Sequence, residues 1–205
     1  MTPDFFPAGV PFSKRLLDLC CSIPGLIILS PFLLLVAILI LVVDGWPIIF
    51  LQERPGLRAK IFKMIKFRSM TTVSDDLSPN GDAGRITRLG KILRAISVDE
   101  WPQLFNILCG DMSLVGPRPL LVQYLDRYSP EQARRHDVLP GMTGWAQVNG
   151  RNSLTWENKF QLDIWYVDNW TLGLDLRILW MTIMKVLRRE GITQDGSASV
   201  DEFKG

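Results

Sequence analysis

Residues that commonly build metal and redox sites are scarce in this sequence. Among 205 residues there is one histidine, His136, and there are three cysteines, Cys20, Cys21 and Cys109, with no C-x-x-C spacing. A disulfide framework and a zinc site are therefore not expected. We interpret His136 as a packing or surface residue, with a catalytic base as the alternative.

Net charge is also small, at +2, so the chain as a whole favours neither an acidic nor a basic partner. Its basic residues are nevertheless concentrated. Between Arg54 and Arg94 there are ten lysines and arginines and only three aspartates, a local excess of seven. Such an excess favours an anionic partner, namely phosphate groups, acidic lipid headgroups or nucleic acid, whereas a solvated basic surface is the simpler alternative.

Apolar residues, by contrast, are abundant and form one long segment. Hydrophobic residues make up 47% of the chain, and Leu19 to Val43 is almost continuously apolar over 25 residues. This length is sufficient to cross a bilayer. A signal peptide is disfavoured because Asp4 precedes the segment, the segment is long and no small-residue cleavage site follows it.

Ser30-Pro31 lies near the middle of this segment, and proline kinks or breaks a helix. Neither half, as a helix, would cross a hydrocarbon core of roughly 30 Å. Lys14 and Arg15 precede the segment and four basic residues follow within twenty residues. Because positive residues favour the cytoplasmic side, we predict a re-entrant helix that bends at Ser30-Pro31 and leaves by the face it entered. An ordinary kinked span is the alternative.

The remaining sequence predicts a domain of the α/β class, mostly α with short strands. We divide the chain into residues 1–45, which hold the membrane helix, and residues 46–205, a cytoplasmic, membrane-associated catalytic domain. Short strands are predicted within 46–70, and helices over 85–96, over 99–109 up to Gly110, after Ser129, and over 174–189. The last helix has a wide apolar face, which suits the membrane interface and packing on a protein core equally well.

An acidic pair, Asp99 and Glu100, follows the basic segment. Ser97 precedes it in a Ser-x-x-Glu pattern, which is a capping box, and acidic residues stabilise helix N termini. Capping is therefore the simpler interpretation. The alternative is that paired acids beside a phosphate-attracting segment supply a nucleophile or Mg²⁺ ligand and a base.

Two later segments have the features of ligand-binding loops. Pro117 and Pro119 restrict the backbone on both sides of Arg118, which suits a guanidinium that clamps a phosphate. Residues 140–152 are rich in glycine and amides, and such a loop can bring backbone N–H groups and Arg151 to a ligand. Each segment alone is equally compatible with an ordinary turn or loop.

Three segments together carry a family resemblance. KFRSM (66–70), SVDEWPQLFNIL and GDMSLVGPRP on either side of Cys109 (97–119), and PGMTGWAQVNGRN (140–152) resemble the small monotopic phosphoglycosyl transferases of bacteria. The resemblance extends from about Phe12 to Arg189, and Ser30-Pro31 resembles the break in that family's re-entrant helix. It implies transfer of a phosphosugar from a UDP-sugar to polyprenyl (undecaprenyl) phosphate with release of UMP, the first membrane step of glycoconjugate assembly.

The resemblance also implies roles for particular residues. Asp99 matches the family's nucleophile, which forms a covalent phosphosugar intermediate and helps to hold Mg²⁺. Glu100 matches its partner carboxylate, the base for the incoming polyprenyl phosphate. Arg94 and Arg118 match phosphate-binding arginines, and Lys66 matches a lysine near the site. Three further residues match the family with less defined roles: Arg151, Thr143 and Gln147.

The implied setting is the bacterial inner membrane, with a monotopic protein whose active site faces the cytoplasm. The implied cofactor is Mg²⁺, and the implied partners are a UDP-sugar, polyprenyl phosphate and the lipid bilayer, with no nucleic acid and with a homodimer left open. Trp101 departs from the family pattern, because an aliphatic residue commonly follows the acidic pair. This departure affects local packing and not the chemistry.

Two rival functions belong to other classes. A membrane-bound glycosyl transferase that moves the sugar alone would release UDP and not UMP. A non-enzymatic membrane-surface protein would use its basic segment to bind anionic lipid, and Asp99 and Glu100 would only cap a helix.

Overall fold

The structure is a computed structural model that describes residues 4–71, 85–150, 154–188 and 203. Within these residues helices predominate, as the sequence predicted. The α-helices are α1 (Phe12–Val43), α2 (Arg88–Ala95), α3 (Gln103–Cys109), α4 (Pro130–Ala133), α5 (Trp145–Asn149), α6 (Trp156–Asp168) and α7 (Leu172–Arg188). The strands are β1 (Ile49–Pro55), β2 (Ile61–Phe67), β3 (Ser113–Val115) and β4 (Gly141–Thr143). Short 3-10 segments cover Leu57–Ala59, Val98–Glu100, Val122–Arg127 and Arg134–His136.

Helix α1 continues without interruption through Ser30 and Pro31. Proline cannot donate a backbone hydrogen bond, which leaves the carbonyl group of Ile27, four residues earlier, without its usual donor. The Ser30 hydroxyl donates to that carbonyl oxygen at 2.8 Å. The serine therefore repairs the hydrogen bond that the proline removes. The predicted break is not an interruption of the helix, and a bend of its axis stays a prediction.

Both halves of α1 pack on the same body of the protein. In the first half, Arg15 is fully buried and donates to the carbonyl oxygens of Ile107 and Leu108 at the end of α3. The second half contributes Leu33, Val36 and Ile40 to a core shared with β2, α2 and the 3-10 turn Val98–Glu100, which we call the acidic turn. The opposite face of α1 is exposed and apolar. In length and composition α1 could cross a membrane.

Strands β1 and β2 confirm the short strands predicted within 46–70, and they pair as an antiparallel hairpin, with Ile49 opposite Phe67 and Pro55 opposite Ile61. Phe62 and Met64 point from one face of β2 into a core shared with α3. Phe67 points from the opposite face into the core that contains Val98, as the alternation of side chains along a strand requires. By the same alternation Lys66 shares the face of Phe62 and Met64, and its ammonium group reaches Glu100. The hairpin therefore places Lys66 beside the acidic turn, while the apolar side chains of the hairpin pack in the core.

Strands β3 and β4 form a second, parallel pair, with Ser113 opposite Gly141 and Val115 opposite Thr143. This pairing corrects the interpretation of residues 140–152 as a loop, because β4 and α5 lie within that segment. Two helix ends follow the sequence prediction. Gly110 ends α3 with a left-handed φ of 89°, and Ser129 and Gln132 form the capping box of α4.

Two expectations about charge need correction. Lys14 and Arg15 enter the sequence argument as flanking charges that favour the cytoplasmic side, yet both are buried in protein, and Lys14 pairs with Asp175 at 2.7 Å. On a helical wheel of the predicted helix 174–189, Asp175 falls on the polar face opposite the apolar one, which predicts exposure, but it is fully buried. The apolar face of α7 combines the two alternatives for this helix. Ile178 packs in the protein core, whereas Trp180 and Ile183 are exposed, as contact with the membrane interface requires.

Candidate active site

A cavity of about 710 Å³ lies between the acidic turn, β2, the segment after β3, and helices α5, α6 and α7. Every site residue that the sequence predicted within the described part of the chain lines this one cavity: Lys66, Arg94, Asp99, Glu100, Arg118, Thr143 and Gln147. Arg151 lies outside the described residues. Residues up to 81 positions apart along the chain, as Lys66 and Gln147 are, are thus brought to one place by the fold.

The acidic turn is anchored in the protein core by its one apolar residue, Val98. Val98 is buried in the core beside Phe67 and Leu93. Ser97 precedes it with a left-handed backbone, φ 57°, and makes no capping hydrogen bond with its side chain. The capping-box interpretation of Ser97 and Glu100 is therefore wrong. The two carboxylates face the cavity instead of closing a helix.

Glu100 is held by two cations. Lys66 Nζ donates to its Oε1 at 2.9 Å, and the Arg118 guanidinium donates to Oε1 at 2.5 Å and to Oε2 at 3.2 Å. Burial acts to raise the pKa of Glu100, but Arg118 and Lys66 outweigh it and hold this pKa well below its usual range. Burial lowers the pKa of Lys66, and Glu100 opposes that effect. Both carboxylate oxygens of Glu100 are therefore occupied by fixed positive charge.

Asp99 differs from its neighbour. It is 7% exposed, and in the part of the chain that the structure describes no group donates a hydrogen bond to its carboxylate. Burial raises its pKa, the charge of Glu100 adds to the rise, and Lys66, Arg94 and Arg118 lower it. Arg94 is oriented by a 2.9 Å hydrogen bond from its Nε to the Ser69 hydroxyl. The arrangement is a carboxylate with open lone pairs among cations, which is suited to nucleophilic attack or to cation binding.

Not every cation of the basic segment serves the cavity. Arg68 is buried and donates to the carbonyl oxygens of Gly45 and Trp46, so it fixes the turn between α1 and β1. Arg54 donates to the carbonyl oxygen of Pro119. The local excess of charge in the sequence thus combines structural arginines with site residues.

The sequence did not indicate a second charged group in the cavity. Arg135 Nη2 donates to Asp163 Oδ2 at 2.7 Å and to the Arg118 carbonyl oxygen at 2.7 Å. Lys159 lies one turn before Asp163 on α6 and lines the cavity with it. The i, i+4 spacing of Lys159 and Asp163 on one helix face was the available signal. Arg135 had no such signal, because its partners are distant in the chain.

The cavity lining carries an excess of positive charge. Among the described residues six cations line it, namely Lys66, Arg94, Arg118, Arg135, Lys159 and Lys185, against three carboxylates, those of Asp99, Glu100 and Asp163. The excess of three suits a ligand with several negative charges, such as a diphosphate.

His136 has no place among these lining residues. It is buried, and burial together with the charge of Arg135 lowers its pKa to about 4. It is therefore neutral at physiological pH and serves as a packing residue in contact with Tyr128.

The residues present fit Mg²⁺ only together with a phosphate ligand. Among the described residues no group of three or more potential metal-binding side chains occurs. Asp99 offers open carboxylate oxygens, whereas those of Glu100 are occupied by Lys66 and Arg118. Mg²⁺ commonly takes one or two carboxylates and fills its other positions with water and substrate phosphates. Asp99 fits that mode, and the ion would supply charge neutralisation for a diphosphate.

Known proteins are similar to this chain over most of its length. The family model described as bacterial sugar transferase matches residues 10–189. A Bacillus subtilis (strain 168) protein named "Uncharacterized sugar transferase EpsL" is 50% identical over 195 residues, which cover 94% of this chain and 96% of that protein. The undecaprenyl-phosphate galactose phosphotransferase of Salmonella typhimurium is 41% identical over 198 residues, 88% of this chain and 41% of that protein.

A third relative is the UDP-glucose:undecaprenyl-phosphate glucose-1-phosphate transferase of Klebsiella pneumoniae, 40% identical over 183 residues, 84% of this chain and 39% of that protein. The chain thus spans almost all of the Bacillus protein but well under half of the other two. These matches confirm the resemblance, and the chain belongs to the bacterial sugar transferase family.

Proposed function

We propose that this protein transfers a phosphosugar from a UDP-sugar to polyprenyl phosphate, with Asp99 as the nucleophile. The observation that carries the proposal is the contrast within the acidic pair. Asp99 is buried with no hydrogen-bond donor among the described residues, next to a Glu100 that two cations hold. The names of the Salmonella and Klebsiella relatives describe transferases that act on undecaprenyl phosphate, which supports the same acceptor here.

In the first step, an Asp99 carboxylate oxygen attacks the β-phosphorus of the UDP-sugar. A new O–P bond forms, the bond from the β-phosphorus to the bridging oxygen breaks, and UMP leaves with that electron pair. Lys66, Arg94 and Arg118 stabilise the negative charge that accumulates on the phosphoryl oxygens. In the second step, an oxygen of polyprenyl phosphate attacks the same phosphorus and releases Asp99. A covalent intermediate lets two anionic substrates react in turn and not together.

Glu100 is a poor proton acceptor as long as Arg118 and Lys66 hold its pKa low. Its role as the base for polyprenyl phosphate therefore depends on substrate. A diphosphate in the cavity would compete for the Arg118 guanidinium, whose side chain is 44% exposed. Loss of that partner raises the pKa of Glu100 towards a value at which it accepts a proton.

The membrane arrangement is part of the proposal. α1 would be about 48 Å long as a straight helix, more than a bilayer core of roughly 30 Å requires. Yet Lys14 near its start and Ile40 near its end are both buried against the same domain. This supports a helix that enters and leaves by one face, with the exposed side of α7 in the interface. Single cysteines at Pro11 and Asp44 should both react with an impermeant reagent from one side, and labelling from opposite sides would refute the arrangement.

The nucleotide product tests the reaction directly. The protein in nanodiscs, with Mg²⁺ and a panel of UDP-sugars, should release about one equivalent of UMP without acceptor and turn over repeatedly when polyprenyl phosphate is added. Release of UDP would identify a glycosyl transferase and overturn the proposal. Multiple turnovers of UMP that strictly require both substrates from the start would overturn the covalent step.

A further inference from the structure

The cavity contains two separate groups of charges. The first, which we call the cation cluster, consists of Lys66, Arg94 and Arg118 around the acidic pair. The second, the Asp163 cluster, consists of Arg135, Lys159 and Asp163. Arg118 joins them, since its guanidinium contacts Glu100 while its backbone carbonyl accepts from Arg135. The chemistry proposed above uses the first cluster only.

Asp163 uses one of its two oxygens for structure. Oδ2 accepts from Nε and Nη2 of Arg135, at 3.2 and 2.7 Å. Among the described residues no donor contacts Oδ1, although the residue is only 4% exposed and lines the cavity. An unpartnered carboxylate oxygen in a buried position is costly unless a ligand supplies a hydrogen. Oδ1 is therefore available to accept a hydrogen bond from a ligand in the cavity.

Thr143 supplies a second acceptor. Thr182 donates its one hydroxyl hydrogen to the Ile178 carbonyl oxygen at 2.8 Å. The 2.7 Å contact between the two threonine hydroxyls must then be a donation from Thr143 to Thr182. Thr143 has no hydrogen left for the cavity and offers lone pairs only. Both Thr143 and Asp163 can therefore only accept hydrogen bonds, so they suit a ligand with hydrogen-bond donors.

A diphosphate cannot satisfy these acceptors, because its oxygens carry no hydrogens in the ionised state. Hydroxyl groups can. Building on the proposed function, we infer that Asp163 Oδ1, with Thr143 Oγ1 as a second acceptor, binds hydroxyl groups of the UDP-sugar. Two parts of that substrate carry them, the sugar and the ribose. The Asp163 cluster is in this way a recognition site for the uncharged part of the donor, beside the cation cluster that takes its phosphates.

Asp163→Asn tests the inference with little change of shape. The asparagine carbonyl can still accept from Arg135, and its amide group then places N–H where Oδ1 stood, so an acceptor becomes a donor. Affinity for the UDP-sugar, measured by calorimetry in nanodiscs, should fall by roughly one to two orders of magnitude. Asp168→Asn is the matched control, because Asp168 lies on the same helix and pairs with Arg134 outside the cavity lining. It should leave the affinity unchanged.

Deoxy analogues then locate the hydroxyl. For the analogue that lacks the hydroxyl bound by Asp163, wild type and Asp163→Asn should bind with nearly equal affinity. If that analogue lacks a hydroxyl of the hexose, Asp163 binds the sugar. If it is the 2′-deoxyuridine form, Asp163 binds the ribose. If Asp163→Asn lowers the affinity equally for every analogue, Asp163 acts only through Arg135, and the inference is overturned. If Asp163→Asn does not lower the affinity for the UDP-sugar at all, the inference is overturned as well.

Failure of the inference can be told from failure of the proposed function. Wild-type protein that releases UMP while Asp163→Asn binds the UDP-sugar normally would overturn the inference alone. Wild type that binds no UDP-sugar would overturn both. If Asp163→Asn does not fold by its melting profile, Asp163→Glu keeps the charge for Arg135 but moves the second oxygen. It should show the same selective loss.

Discussion

Two clusters of buried charge in this protein are built on opposite principles. At the base of α1, Lys14 donates to the Val115 carbonyl oxygen, the Tyr166 hydroxyl and Asp175, at 2.9, 3.0 and 2.7 Å. Asp175 also accepts from Tyr166 and from Trp170. Every hydrogen of the ammonium group has its acceptor. In the cavity, by contrast, Asp99 has no donor among the described residues, and cations outnumber carboxylates.

The difference teaches that burial of a charge does not by itself mark a functional site. The Lys14–Asp175 pair is more deeply buried than Asp99, at 4% and 1% side-chain exposure. Because it is saturated, it has nothing left with which to bind a ligand. Burial of the ionised Asp99 carboxylate without a hydrogen-bond donor is costly, so this residue lowers the stability of the folded protein. Removal of charge should therefore have opposite effects in the two clusters.

The largest effect is expected for Asp99→Asn. Asparagine keeps the size of the side chain but is not a nucleophile, so UMP release should fall by about three orders of magnitude or more. The melting temperature should stay the same or rise, because an unpaired buried carboxylate is removed. Asp126→Asn, at an exposed carboxylate outside the cavity lining, is the control and should change neither quantity. Retention of a tenth or so of the activity would refute the nucleophile.

Lys14→Met should show the opposite pattern. It leaves the Asp175 carboxylate buried without its cation, so we expect unfolding to become easier by about 3–5 kcal/mol, measured by denaturant titration in detergent. The molecules that remain folded should still release UMP at the wild-type rate. Lys91→Met, at an exposed lysine of α2, should change stability by less than about 0.5 kcal/mol. A Lys14→Met protein as stable as wild type would mean that the base of α1 is not an anchor.

The two clusters also differ in how far the sequence predicted them. Lys66, Arg94, Asp99 and Arg118 were found because each lies in a short segment whose pattern is local and similar to a known family. The Lys14–Asp175 pair joins residues 161 positions apart. Amphipathic analysis of α7 placed Asp175 on the polar face, because a single helix does not show which partner it will meet.

Local patterns failed where the backbone or a distant residue decides. The Ser-x-x-Glu pattern predicts a cap, but the left-handed conformation of Ser97 carries its hydroxyl away from that position. At Ser30-Pro31 the helix is not interrupted, because the serine hydroxyl replaces the hydrogen bond that proline lacks, and the bend of its axis stays a prediction. The ion pair of Arg135 and Asp163 depends on how α6 packs beside the segment after β3. For the ion pair the missing information is tertiary geometry, and for Ser97 and Ser30 it is the local geometry of backbone and side chain.

The smallest effect concerns the pH dependence of the cavity cluster and would sharpen the contrast further. Burial and Glu100 raise the pKa of Asp99, whereas Arg94 is among the cations that lower it. The nucleophile must be ionised, so activity should fall on the acid side as Asp99 takes up a proton. Arg94→Met removes a cation, raises the pKa of Asp99 further and should move this acid limb to higher pH. The rate at saturating UDP-sugar, followed as UMP release across pH, measures the shift.

Two variants on α2 control this experiment. Arg94→Lys keeps the positive charge and should leave the limb closer to its wild-type position than Arg94→Met does. Lys91→Met removes a charge from the same helix outside the cavity lining, and should not move the limb at all. A limb that moves to lower pH in Arg94→Met would contradict the sign of the electrostatic effect. An unmoved limb would mean that a group other than Asp99 limits the reaction in acid, since the charge of Arg94 acts on Asp99 through the cavity they share.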